Sequence, residues 1–229
     1  LSQIDKALKE AALRLTGVNL SSLMSERKRD RLIYQFEDLI VDCTRQPLDD
    51  EAFRCLVDLA DECHIHQRID EMFSGAKINN SENLPVEHVA LRRPDYQSTL
   101  EYKRLVNFAE TTRKNQEITS IVNLGIGGSD LGPKMVTKAL MEYHDGPACH
   151  FVGNICPTDL HDALTKCDPQ KTLFIITSKS FTTSETLTNA TLARHWLVQH
   201  GVDVDKALVA VTASSLRAQE WGIDSGNIF

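Results

Sequence analysis

The chain has no excess of positive charge: 25 Lys and Arg stand against 32 Asp and Glu, a formal net charge of −7 over 229 residues. A nucleic-acid backbone or an anionic bilayer needs a dominant cationic surface, so neither is expected as the main partner. An anionic ligand must instead be held by a local pocket. No apolar run reaches the length of a membrane-spanning helix, and the first residues carry no signal-peptide pattern. None of the six cysteines (43, 55, 63, 149, 156, 167) forms a Cys-x-x-Cys pair. That removes the usual zinc and redox spacings, and reduced thiols in a cytoplasmic protein are the expectation. There is no internal repeat and no low-complexity tract. At 41% hydrophobic and 25% charged residues, the chain has enough apolar material for a packed core.

Residues 1 to 115 read as helical. From Arg31 to Arg45, Ile33, Phe36, Ile40 and Cys43 recur at three-to-four spacing, which predicts a helix with one apolar face. Asp49, Asp50 and Glu51 put acids at the start of the next helix, where they complement its dipole. Its expected buried face is Phe53, Leu56, Val57, Ala60 and Cys63. Gly75, Pro85 and Pro94 make residues 73–94 a loop-rich crossing, and a further helix is expected from about Gln97 to Lys114.

The pattern changes at Ile118. Four short apolar runs, Ile118–Leu124, Cys149–Gly153, Thr172–Thr177 and Ala207–Thr212, alternate with helical stretches at 131–143, 158–166, 183–200 and 215–221. Continuous rather than alternating apolar runs mark strands covered on both faces. The fold class is therefore α/β, a doubly wound parallel sheet preceded by a helical segment. Such sheets bind ligands beyond the carboxyl ends of their strands, which draws attention to the loops after Leu124 and Thr177.

The first loop, Gly125-Ile126-Gly127-Gly128-Ser129-Asp130-Leu131-Gly132, leaves a strand and opens a helix, the setting in which backbone amides attract an anion. It is not a dinucleotide fingerprint, because Asp130 stands where a small residue is required. Nor is it a P-loop, because Pro133 follows Gly132 in place of Lys. The second loop is Ser178-Lys179-Ser180-Phe181-Thr182-Thr183-Ser184-Glu185-Thr186. All of these residues except Phe181 bear a hydroxyl or a charge. Hydroxyls hold a phosphate without the cost of burying a full positive charge. Thr183 or Ser184 can also serve as N-cap of the helix that follows. Asp130 is read as a helix-capping carboxylate, while Glu185 fits capping and substrate contact equally. Neutral donors with one lysine suit a single phosphate on a small molecule better than a triphosphate.

Residues 123–133, Asn-Leu-Gly-Ile-Gly-Gly-Ser-Asp-Leu-Gly-Pro, and residues 178–183, Ser-Lys-Ser-Phe-Thr-Thr, resemble the glycine-rich and phosphate loops of the glucose-6-phosphate isomerase family. The resemblance extends to Gly75-Ala76-Lys77-Ile78-Asn79 and His88-Val89-Ala90-Leu91-Arg92. It departs at Ser180, where the family usually has threonine, and between Glu82 and His88, where the family has arginine near Leu84 and leucine near Glu87. The resemblance implies a sugar-isomerase (SIS) type phosphosugar domain over residues 116–229, truncated at its C-terminal side, with residues 1–115 packing on it. It implies interconversion of glucose 6-phosphate and fructose 6-phosphate through an enediolate, with no cofactor, metal or nucleotide. The expected substrate-binding residues are Gly128, Ser129, Ser178, Lys179, Ser180, Phe181, Thr182 and Thr183. The family's base glutamate, ring-opening histidine, stabilising arginine and distal lysine lie in or beyond its Gly-Gly-Arg-Tyr-Ser segment. The chain opens on Leu1 and stops at Phe229, short of that segment. It is thus expected to be an N-terminal fragment that holds the phosphate-binding half, binds phosphosugar weakly and has no catalytic residues or isomerase activity of its own. A homodimer is implied for the full-length enzyme.

The main competing reading is a non-catalytic SIS-domain sugar-phosphate sensor, although the N-terminal segment offers no basic recognition face for DNA. Cys63-His64-Ile65-His66 lacks a second ligand pair and is not expected to bind metal. Arg27-Lys28-Arg29-Asp30-Arg31 is broken by an acid and reads as a solvated helix face.

Overall fold

The computed structural model describes residues 3–22, 32–81 and 83–229. The basic cluster 27–31 and Glu82 therefore lie outside the described residues. The chain divides into two compact units, one up to Arg93 and one from Pro94 onward.

In the first unit, helix α1 (Gln3–Leu15) packs on α2 (Asp50–Glu62), and α3 (Ile65–Phe73) follows. Asp49 caps α2 by accepting from the Ala52 amide, so the acids at 49–51 do mark a helix start. Arg14 bridges back to Asp49 at 2.8 Å and to Glu51 at 3.0 Å. The helix expected at 31–45 is instead a hairpin of β1 (Ile33–Phe36) and β2 (Leu39–Asp42), with Ile33 opposite Asp42 and Phe36 opposite Leu39. The segment is rich in β-branched and aromatic residues, and Glu37 turns it with a left-handed φ of 51°. Three-to-four spacing over so few residues could not outweigh those preferences. The buried face of α2 is also corrected. Ala52 is buried and Phe53, Cys55, Leu59 and Ala60 are half-buried, while Leu56, Val57 and Cys63 are exposed. The apolar stripe is wider than the contact that α1 makes with it.

The second unit opens with α4 (Leu100–Lys114), capped by Thr99. It continues through β3 (Ser120–Leu124), α5 (Gly128–Ala139), β4 (Ala148–Val152), α6 (Pro157–Leu164), β5 (Thr172–Thr177), α7 (Ser184–Gln199), α8 (Val204–Ala207), β6 (Leu208–Val211) and α9 (Ser215–Trp221). The four strands form one parallel sheet in the order β4-β3-β5-β6. Every apolar run read as a strand is one, within two residues at either end.

Alternate strand residues face opposite sides of this sheet. On one side Val122, Leu124, Val152, Phe174, Ile176, Leu208 and Ala210 pack with Ala190, Ala193 and Leu197 of α7 in the main core. On the other, Ile121, Cys149, Leu173, Ile175 and Val209 line a cavity of about 290 Å³ whose opposite wall is Leu105, Phe108 and Ala109 of α4. The first strand of this sheet in sequence, β3, has β4 on one flank and β5 on the other. The winding direction therefore reverses between β3 and β5, and their carboxyl ends define the crevice where such sheets take ligands.

Candidate functional site

Both loops singled out in the sequence leave the sheet at this reversal. After Leu124 the chain makes a turn through Gly125, Ile126 and Gly127 and enters α5 at Gly128. Gly125 lies so close to the start of the helix that a Cβ on it would sit 2.6 Å from the Ser129 carbonyl oxygen. Gly127 adopts φ 61°, ψ −120°, a conformation open essentially only to glycine. Each of these two glycines is thus required by local geometry before any ligand is considered.

The start of α5 is anchored by a residue whose role the sequence reading missed. Pro133 has no amide hydrogen, so it cannot close the helical bond to the carbonyl four residues back, which belongs to Ser129. Asn123 supplies the missing donor: its Nδ2 reaches the Ser129 oxygen at 3.0 Å. Its Oδ1 accepts from the Thr177 hydroxyl at 2.7 Å. Asn123 is 7% exposed in the middle of the sheet and ties the glycine loop to the end of β5. A polar side chain inside an apolar strand, followed by a proline inside the next helix, was the available signal.

Asp130 is buried and does not cap α5: among the described residues its Oδ1 finds no hydrogen-bond partner. Its carboxylate packs against Gly153 and approaches Lys134 Nζ at 3.9 Å. The capping role read for Asp130 is therefore corrected. Burial under the loop after β4 drew the side chain away from the helix amides.

The second loop begins with Ser178, which is 2% exposed. The Ser178 and Thr183 hydroxyls meet at 3.1 Å, and those of Ser180 and Thr182 at 2.6 Å. Four of the expected phosphate ligands are thus held as two hydroxyl pairs. Thr183 is the N-cap of α7 by its backbone, but its side chain serves Ser178 rather than the helix amides. Among the described residues, the amides of Ser180, Thr182 and Thr183 find no acceptor. The N-cap residue therefore gives the N-terminus of this 16-residue helix no side-chain hydrogen bond. The Glu185 carboxylate accepts from the Ser184 hydroxyl at 2.8 Å. Its own backbone amide and that hydroxyl hold its pKa below the usual carboxylate range. Glu185 is thereby engaged in the first turn of α7.

Phe181 departs from its neighbours. Its side chain is only 3% exposed and packs edge-on against Trp221, with centroids 6.2 Å apart. Only its backbone belongs to the loop, where φ is 52°. Lys179 and Ser180 are exposed, and Ser129 and Lys179 line one open groove of about 370 Å³ with Thr177, Thr212 and Ala213. The structure thus brings Ser129 of the first loop and Lys179 of the second to one surface. Among the described residues no group of three or more His, Cys, Asp or Glu is arranged to hold a metal ion. None of their helices is long and apolar enough to cross a membrane.

The chain as a whole is similar to known proteins. Glucose-6-phosphate isomerase from Helicobacter pylori strain G27 is 40% identical over 227 residues, covering 89% of this chain and 42% of that protein. The enzyme of the same name from Roseobacter denitrificans is 37% identical over 97% of this chain and 44% of its own length. The crystal structure of a glucose-6-phosphate isomerase from Chlamydia trachomatis superimposes with a TM-score of 0.72 at 27% identity, over 92% of this chain and 44% of that one. The chain spans less than half the length of the curated relatives it matches. The sequence model described as phosphoglucose isomerase matches residues 42–229, and with most of its length inside that match the chain belongs to the phosphoglucose isomerase family.

Proposed function

We propose that the full-length protein interconverts glucose 6-phosphate and fructose 6-phosphate, and that this chain supplies the grip on the substrate's phosphate. The observation that carries this reading is the pair of hydroxyl couples, Ser178 with Thr183 and Ser180 with Thr182, set at the N-terminus of α7 beside the sheet's reversal point. A phosphate entering there can replace each hydroxyl–hydroxyl contact with two donations to its own oxygens, joined by loop amides and Lys179. Gly128 and Ser129 border it from the other loop, and Thr182 and the backbone of Phe181 complete the cradle.

Such a grip fixes the sugar by its unreactive end. Binding energy from the phosphate is then available to hold C1 and C2 in register with the groups that move the proton. The catalytic groups implied by the family resemblance lie in its Gly-Gly-Arg-Tyr-Ser segment and beyond, so this chain by itself is proposed to bind and not to isomerise. The same resemblance supports a homodimeric, cytoplasmic full-length enzyme with an SIS-type domain over residues 116–229.

The experiment is a thermal shift of this chain with fructose 6-phosphate, against fructose and inorganic phosphate. Ligand at ~100 times its dissociation constant adds roughly 2.7 kcal/mol, a shift of several degrees for a chain of this size. The shift should appear with the phosphosugar, stay absent with fructose, and vanish in a Ser178→Ala, Thr183→Ala double variant. A phosphosugar shift that survives the double variant would refute the assignment of the cradle.

A further inference from the structure

The phosphate loop is anchored by α9 and the residues that lead into it from β6, a segment that lies outside both loops. Three consecutive loop carbonyls are occupied. The Ser178 oxygen accepts from the Phe181 amide at 3.2 Å, and the Lys179 oxygen from the Ala213 amide at 2.9 Å and the Thr212 hydroxyl at 3.1 Å. The Ser180 oxygen accepts from Arg217 Nη1 at 3.0 Å. A trans peptide is planar, with its C=O and N–H pointing in opposite directions. Binding the Lys179 and Ser180 oxygens to the β6–α9 segment therefore turns the Ser180 and Phe181 N–H groups the other way. The Phe181 N–H is taken up by the turn, which leaves that of Ser180 aimed away from its anchor.

This arrangement includes a strained backbone. Phe181 sits at φ 52°, a region that non-glycine residues occupy only when the surroundings hold them there. Its ring is held by Trp221 at the end of α9, and Arg194 in turn donates to the Trp221 carbonyl at 3.0 Å. The loop is thus clamped on either side of the strained residue by a single seven-residue helix, through Arg217 before it and Trp221 beneath it.

We infer that Arg217 is a positioning residue for phosphate binding: by holding the Ser180 carbonyl it fixes the turn in which the Phe181 amide bonds to the Ser178 oxygen, and that turn presents the Ser180 amide and the loop hydroxyls to the anion. This rests on the phosphate reading given above. Arg217 is exposed, so its removal should leave the fold intact, whereas Trp221 is part of the packing and a poorer probe.

The test compares the parent chain with Arg217→Ala and Arg217→Lys, reading the dissociation constant for fructose 6-phosphate by calorimetry and the unliganded melting temperature. Arg217→Ala should weaken binding about tenfold, equivalent to about 1.4 kcal/mol, with little change in unliganded melting. Lysine keeps a donor within reach of the Ser180 oxygen and should recover most of the loss. Unchanged affinity in the alanine variant, no recovery with lysine, or a fall in affinity matched by a fall in unliganded stability would each overturn the inference. Amide resonances of Ser180 and Phe181 in the unliganded chain separate it from the reading it rests on. Should the parent bind no phosphosugar while Arg217→Ala still moves those resonances and spares Gly127 and Gly128, Arg217 sets the loop's backbone and it is the phosphate reading that falls. Resonances that stay in place overturn the positioning role whatever the ligand does.

Discussion

Gly125→Ala and Gly128→Ala are neighbouring, chemically identical substitutions that should behave in opposite ways. At Gly125 the new Cβ would lie 2.6 Å from the Ser129 carbonyl oxygen and 2.9 Å from its Cβ. Ordinary contact begins near 3.4 Å, so Ser129 would have to retreat by most of an ångström. It is poorly placed to do so: its oxygen is held by Asn123 at 3.0 Å and its amide by Ile126 at 3.2 Å. Overpacking of this kind costs about 1–3 kcal/mol. The upper end applies where the obstacle is backbone, and loss of the Asn123 bond adds about 1 kcal/mol. At roughly 2–4 °C per kcal/mol for a chain of this length, melting should fall by several degrees or more. A Cβ at Gly128 meets nothing within 4 Å. That residue begins α5 with an ordinary backbone, so alanine there should leave stability unchanged or raise it by up to about 1 kcal/mol. The assay is thermal and urea unfolding of both variants, followed by fructose 6-phosphate titration of Gly128→Ala, whose methyl would intrude on the proposed phosphate. A Gly125→Ala chain that melts with the parent would refute the steric argument.

Acid should act on two groups in separate pH windows. His150 is pushed below its usual pKa by burial and by Lys166; its contribution to stability is complete above about pH 6.5 and is lost as pH falls through the folded value. His150→Phe should therefore flatten the decline in urea midpoint below that pH, and an unchanged profile would contradict this. The Asp145 carboxyl is held below the usual range by hydrogen bonds from Arg113, one of them 2.6 Å, so its contribution is present above about pH 3.9 and lost as pH falls further. Asp145→Asn should lower the midpoint at neutral pH, with the difference from the parent closing below pH ~4. Among the thiols, burial pushes Cys149 up, while hydrogen bonds from the Thr158 side chain and amide hold Cys156 down. Iodoacetamide at about pH 8 should label Cys156 before Cys149, as mapped by mass spectrometry; the reverse order would refute the assignment.

The legible parts of the fold were those where several signals agreed. Val122, Leu124, Phe174 and Ile176 sit in continuous apolar runs bounded by glycine or polar residues, and both the strands and the loops beyond them followed. The hairpin at 33–42 was hidden because Ile33, Phe36 and Ile40 also satisfy a helical period over a stretch too short to discriminate. What fixes it is the left-handed Glu37, a backbone property that residue type does not announce. The start of α5 was expected at Leu131, past the glycines at 125, 127 and 128. Gly128 opens the helix nevertheless, since Asn123 makes good the bond that Pro133 cannot form. In the candidate site the hydroxyl-rich composition was readable, but not which groups pair. The inward turn of Phe181 and the reach of Arg217 over 37 positions are tertiary facts.

Phe181 allows the strain in the loop to be measured apart from its packing. Truncating a buried phenylalanine costs about 3–5 kcal/mol, and both Phe181→Ala and Phe181→Gly lose the same contact with Trp221. At most positions glycine would then be the worse of the two by about 0.5–1 kcal/mol, because it loses more backbone freedom on folding. At φ 52° the order should invert, since alanine retains a left-handed conformation costing about 1–2 kcal/mol that glycine escapes. The net expectation is a glycine variant more stable than the alanine variant by up to about 1.5 kcal/mol, resolved by urea unfolding of the two chains side by side. An alanine variant more stable than the glycine variant would mean that Phe181 carries no strain. The loop would then hold its shape by its own preference rather than by the clamp that α9 applies.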